Sequence, residues 1–203
     1  MVIKSFKMIR KHRGIVLRRY TPRKSKIIVL DRELGKIESI PHVDILCHGA
    51  VIEYFPKKMC LLYKLESFQL IVAPLHFARD HIQFLHHVLE LTYYFVPLDS
   101  RVPEIFDLLL FLYRMKNSSC TATFQKLFVC KFFALLGFFP ENKKMRQSYF
   151  HQLVGISIDT LVQLSINLEV EYALQQWIYS CVAQHPRARF FKTIHWLKPG
   201  EIP

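Results

Sequence analysis

The first thirty residues contain no aspartate and no glutamate; the first acid of the chain is Asp31. Other absences narrow the choices further. Glycine occurs only 6 times in 203 residues, too few for a large all-β sandwich full of turns. The five cysteines, at 47, 60, 120, 130 and 181, are odd in number and widely spaced, with no CxxC pair. That pattern signals neither a disulfide framework nor a zinc site, and suits reduced thiols in a cytoplasmic protein. The apolar runs at 61–75 and 124–139 are each interrupted by Lys, Glu or Gln. Neither reaches the ~18 residues that would span a bilayer, and no signal-type apolar run follows the basic N-terminus. Catalytic signatures are missing too. There is no glycine-rich phosphate loop and no GxSxG. The ten histidines include no HxxxH or HExxH pair, so no helix face offers two ligands to a metal. The expectation is a non-enzyme that needs no metal, cofactor or small-molecule substrate.

What is present is positive charge. Lys and Arg number 28 against 16 acids, a net charge of +12. Such an excess points to polyanionic partners, not to a fold. It is concentrated early: ten Lys and Arg, at 4, 7, 10, 11, 13, 18, 19, 23, 24 and 26, precede the first acid.

The same region reads as β. Residues 15–19 and 26–30 are rich in β-branched side chains, and Thr21-Pro22-Arg23-Lys24-Ser25 between them carries turn chemistry. Gly35 suits a second turn requiring positive φ, and residues 36–40 make a third strand. Residues 49–55 form a fourth, closed by Pro56-Lys57-Lys58, and 59–72 a fifth, bulged or broken near Ser67. Five short strands suit a small OB-type barrel; an open sheet backed by a helix is the alternative.

After Pro74 the period changes. Apolar residues at 77, 78, 82, 85, 88, 89 and 92 predict an amphipathic helix over 77–95 with a histidine-rich polar face. Further helices are expected at 103–115, 121–137, 145–153, 158–166, 169–184 and 187–197. The fold class is thus α+β: a barrel domain over 1–74, then an all-helical domain over 75–203.

The candidate nucleic-acid-binding residues are Arg10, Lys11, Arg13, Arg18, Arg19, Arg23, Lys24, Lys26 and Lys36, placed to neutralise phosphates. Tyr20 sits among them. It is either a base-stacking platform or an ordinary strand residue. The patch itself admits two other readings, a solvated face or a contact for an acidic protein. On the 121–137 helix, Phe124, Phe128, Phe132 and Phe133 form a dense stripe that reads as core. Lys126 and Lys131 flank it, so Lys126, Phe128 and Lys131 are a candidate pocket for an acidic, apolar peptide tail.

Several stretches together resemble one family. "RGIVLRRYTPRKSKIIVLDRELGKIESI", "GAVIEYF" and "LYKLESFQLI" are similar to the opening strands of the bacterial DNA repair protein RecO. "HFARDHIQFLHHVLELTYYFVPLDSRVPEIFDLLLFLYRM" resembles that family's first helical pair. "TATFQKLFVCKFFALLGFFP" resembles its apolar helix ending in Leu-Leu-Gly and a proline. The resemblance covers most of the chain up to about residue 140 and has no single diagnostic motif. It implies an OB-fold joined to a helical domain and binding of single- and double-stranded DNA. It also implies annealing of complementary strands and, with the partner RecR, loading of RecA onto DNA coated by single-stranded-DNA-binding protein. The implied location is the bacterial cytoplasm, at the nucleoid. Two departures stand out. Residues 141–155 lack the four-cysteine zinc site of many members, and the loop after the third strand, Pro41 to Asp44, is short and contains an acid.

Overall fold

A computed structural model describes residues 10–20, 26–40, 47–141 and 150–193. Two compact units divide the chain. The first runs to Ala73 and also takes in Pro97–Phe106; the second holds Pro74–Val96 and everything from Asp107 onward.

The first unit is a closed five-stranded barrel. Its strands are β1 (His12–Tyr20), β2 (Lys26–Asp31), β3 (Gly35–Ile40), β4 (Val51–Met59) and β5 (Leu62–Val72). Their order is β1-β2-β3-β5-β4, and β4 pairs back onto β1 to close the ring. All contacts are antiparallel except β3 on β5. This is an OB-type barrel, as the strand pattern predicts. Inward positions supply the core: Val16, Ile27, Val29, Ile37, Ala50, Ile52, Tyr54 and Leu65. Alternate residues of β1 and β2, such as Ile15, Ile28 and Leu30, are buried as well. Both faces of these strands are therefore covered, which explains their continuous apolar runs.

Two strand boundaries differ from the sequence expectation. Pro56 does not end β4; the strand continues to Met59. The pairing of β1 with β4 stops at Tyr54, so the later residues bond only towards β5, and a proline without a donor is tolerated there. β5 remains one strand, starting at Leu62. The expected irregularity is a bulge: Glu53 faces Gln69 while Phe55 faces Glu66, and Ser67 has φ +48°.

The segment 97–106 completes the barrel. β5 reaches only Ser39 and Ile40, leaving the start of β3 without a strand on that side. Leu98 forms a parallel bridge to Lys36, and the Asp99 N–H donates to the Lys36 carbonyl at 2.8 Å. Gly35 permits this approach. Its φ is +83°, and a Cβ there would lie 2.0 Å from the Ser100 carbonyl oxygen.

The second unit is helical. It contains α1 (Leu75–Phe95), most of α2 (Pro103–Leu112) and α3 (Ala122–Leu135), then helices His151–Gly155, Ile158–Gln163 and Leu168–Ala183. α1 is interrupted at His81, whose φ of −133° is not helical. The α3 ends follow the sequence signals. Thr121 accepts from the Phe124 N–H, and Gly137 at φ +84° closes a Schellman motif through Gly137 N–H to Ala134 O and Phe138 N–H to Phe133 O. The helix expected over 187–197 is not seen in its described part, which holds only a 3₁₀ turn, Ala188–Phe190. Most of the helix expected over 145–153 lies outside the described residues. Among those described, no helix is long and apolar enough to cross a membrane.

Gly35→Ala should destabilise the protein by more than the ~1 kcal/mol set by positive φ alone, because the added methyl meets backbone at Ser100. Urea unfolding followed by circular dichroism would measure this; an unchanged midpoint would mean that 97–100 does not hold the turn.

Candidate nucleic-acid interface on the barrel

The early basic residues are offset by acids brought from elsewhere in the fold. Glu53 on β4 lies beside β1: Arg13 Nε donates to its carboxylate at 2.8 Å, and Lys11 Nζ stands 4.0 Å away. Arg10 reaches Glu33 at 3.9 Å. Lys26 pairs with Glu38 across β2–β3 at 2.9 Å. An acid-free stretch of sequence is therefore not an acid-free surface. Lys36 departs furthest from expectation. It is only 7% exposed, beneath the Leu98 bridge, and is not presented as a phosphate contact.

Arg18 is half-buried on β1, paired with Ile28. Arg19 and Tyr20 end β1 opposite Ile27 and Lys26; only their backbone is described. Arg23 and Lys24 lie outside the described residues. The candidates therefore divide. Arg10, Lys11 and Arg13 stand near the acids of the β2–β3 turn and β4, whereas Lys26 belongs to a different neighbourhood.

That neighbourhood contains residues the sequence reading passed over. Tyr20 pairs with Lys26, Ile27 with Ser39, Ile40 with Lys64, and Lys64 with Lys57. Ile27 and Leu65 point into the core, so Lys26 and Lys64 point outward, and Lys57 shares the face of its partner Lys64. Glu66 lies between the two lysines, 3.7 Å from Lys57 and 3.6 Å from Lys64. Lys58 stands 5.9 Å over the Tyr63 ring at the β4–β5 hairpin. A row of outward positions thus crosses the sheet, with Lys26 on β2, Ile40 on β3, Lys64 on β5 and Lys57 on β4. The signal was Pro56-Lys57-Lys58, legible as charge but assigned to a turn.

The opposite feature is a buried carboxylate. Asp31, 1% exposed, accepts the Glu33 and Leu34 N–H groups at 2.7 and 2.8 Å through Oδ1, and the Tyr54 hydroxyl through Oδ2. His12 Nδ1 stands 3.2 Å from Oδ2. Burial, then the Asp31 charge and hydrogen bond, push the Tyr54 hydroxyl well above the ordinary phenol pKa. Gly14 makes room here: a Cβ would come within 2.3 Å of Val29 and 3.1 Å of the Tyr54 ring. This cluster is structural; all of its polar atoms named here are satisfied by one another.

The candidate peptide-tail pocket is not open. Phe128 is fully buried core. Lys126 is bound to Glu171 at 2.6 Å. Lys131 is 5% exposed and donates to three carbonyls, Leu153 at 2.6 Å, Val154 at 3.1 Å and Ile156 at 2.8 Å. Its ammonium closes the C-terminal end of helix His151–Gly155, where unpaired carbonyls collect. Burial lowers its pKa. His87, expected on the polar face of α1, is buried and bonded to Thr193 at 2.8 Å. Among the described residues, no three His, Cys, Asp or Glu side chains are grouped to hold a metal ion.

No model of a known protein family matches the chain, and no curated protein matches it.

Tyr54→Phe should cost about 1–3 kcal/mol at neutral pH, since it takes a donor from a buried carboxylate. The folded-state pKa of Tyr54 is raised above 10.0, so its stabilisation is whole below pH 10 and is lost as pH climbs through the folded value. The gap between wild type and Tyr54→Phe should therefore narrow above pH 10 in denaturant titrations. Lys131→Met should lose about 1–3 kcal/mol by stranding buried carbonyls, measured in the same way.

Proposed function

We propose that this chain binds DNA without sequence preference over the outer face of β2, β3, β5 and β4. In this reading it anneals complementary single strands, and it makes and breaks no covalent bond. The observation carrying the proposal is the outward row Lys26, Lys64 and Lys57. It lies where OB barrels present nucleic acid, across strands 2–3 and beside the loop between strands 4 and 5. The acids in the row do not defeat this. Exposed ion pairs contribute only about 0–1 kcal/mol, and the Lys57–Glu66 pair is of this kind, so phosphate can displace Glu66; Lys26 and Glu38 are half-buried and hold each other more firmly.

The RecO resemblance extends the proposal to a role. The order, an OB barrel followed by helices, is the one that resemblance implies. The chain would then act in repair and recombination in the bacterial cytoplasm. It would help RecA onto strands coated by single-stranded-DNA-binding protein, with RecR as partner. Phosphate contacts position a strand without reading it, which fits annealing of any complementary pair. The alternative, a module gripping acidic tails through Lys126, Phe128 and Lys131, lacks comparable support because those side chains are already engaged.

Fluorescence anisotropy of a labelled single strand at several salt concentrations tests the reading. Lys26→Ala/Lys57→Ala/Lys64→Ala should weaken binding and reduce the salt slope by roughly two units, each lost single-strand phosphate contact being worth about 0.7. Arg18→Ala/Arg19→Ala/Lys24→Ala, drawn from the basic segment that opens the chain, should act in the same direction if that segment also meets phosphate. Tight binding that neither variant alters would remove the barrel as the site.

A further inference from the structure

A second basic and aromatic surface lies in the helical unit, around residues 187–192. From Tyr172 to Gly200 the sequence has no acid, while Arg187, Arg189 and Lys192 fall close together. All three are exposed. Between them Phe190, a large apolar ring, is 52% exposed, with the Arg189 guanidinium 4.7 Å over it.

Its neighbour Phe191 does the opposite. It is buried, 4.4 Å from the Tyr94 ring and 5.7 Å from the His185 ring. The segment is further tied to α1 by Glu90. That carboxylate accepts the Lys192 and Thr193 N–H groups at 2.9 and 3.0 Å and the Thr193 hydroxyl at 2.7 Å. The Thr193 hydroxyl proton is thus used, so His87 Nδ1 is the donor in their 2.8 Å bond. Tyr94 donates to the Phe190 carbonyl at 3.3 Å. Glu90, the acid bonded to this segment, is held by the Lys192 and Thr193 N–H groups and the Thr193 hydroxyl, and among the described residues it forms no ion pair with Arg187, Arg189 or Lys192.

A core or a solvated face does not need this arrangement. Phe191 alone anchors the turn, and Phe190 adds nothing to the anchor. A fixed aromatic ring flanked by three exposed cations, none of which pairs with an acid among the described residues, suits one ligand chemistry: a base for the ring and phosphates for the cations. We infer that Arg187, Arg189, Phe190 and Lys192 form a single-strand nucleic-acid contact on the helical unit, distinct from the barrel site and not dependent on it.

The test uses the full chain and a fluorescein-labelled oligo-dT of about 20 nucleotides, with a duplex of the same length beside it. Phe190→Ala should weaken the single strand about tenfold and leave the duplex nearly unchanged, because only unpaired bases offer a face to stack. Phe190→Trp should restore binding. Arg187→Ala/Arg189→Ala/Lys192→Ala should reduce the single-strand salt slope by roughly two units. These residues are exposed, and circular dichroism of each variant checks that the fold persists. Single-strand binding unchanged in both variants would overturn the inference, even if the barrel lysines prove essential. Loss of binding here with the barrel variants unaffected would support it and overturn the barrel proposal. A chain that binds no oligonucleotide at low salt overturns both.

Discussion

One buried negative charge organises the barrel. A carboxylate taken out of water is strongly destabilising unless every lone pair is used, and Asp31 meets that condition with partners from three places. Its own turn supplies two N–H groups, β4 supplies the Tyr54 hydroxyl, and β1 supplies His12. These strands are fixed in register by that demand. A slip of one residue would leave Asp31 facing apolar side chains. Gly14 belongs to the same constraint, since only a residue without a side chain leaves space for the Tyr54 ring beside Val29. Val16, Ile27, Val29, Ile37, Ala50, Ile52 and Leu65 around it are apolar and would tolerate rearrangement far better.

Local chemistry made much of the fold legible. The β-branched runs of the first two strands, Gly35 in its turn and the bulge at Ser67 all follow from residue type within a few positions. So do the Thr121 cap and the Gly137 stop of α3. The misjudged boundaries have a common cause. Pro56 ends a strand only if its missing donor is needed, and that depends on how far β1 extends alongside β4. The 3₁₀ turn at Ala188–Phe190 replaces a helix because the segment is held by Glu90 and Tyr94 on α1, about a hundred residues earlier.

The binding surface was less legible than the fold. Charge was counted along the chain, whereas a ligand meets charge in space. Glu53 is forty residues from Arg13, yet their side chains touch. Lys57 and Lys64 came from a hairpin that sequence alone treated as punctuation. Lys131 shows the converse error, since an ammonium beside an apolar stripe suggested a docking site but serves carbonyls of its own chain. Long cations find internal uses often enough that their number bounds a surface without locating it.

The bridge between Lys36 and Leu98 has a consequence for how the protein is made. The barrel's five strands are all in the first 72 residues, but the side of β3 that β5 does not cover waits for residues 97–100. That closure spans some sixty residues and encloses all of α1, a long loop whose ordering entropy must be met before the contact repays it. A nascent chain stopped at the end of β5 therefore exposes a bare sheet edge, open to wrong strands. The barrel becomes a finished object only after α1 has left the ribosome. Cutting the protein at its most obvious seam, between β5 and α1, would separate the barrel from its own last piece.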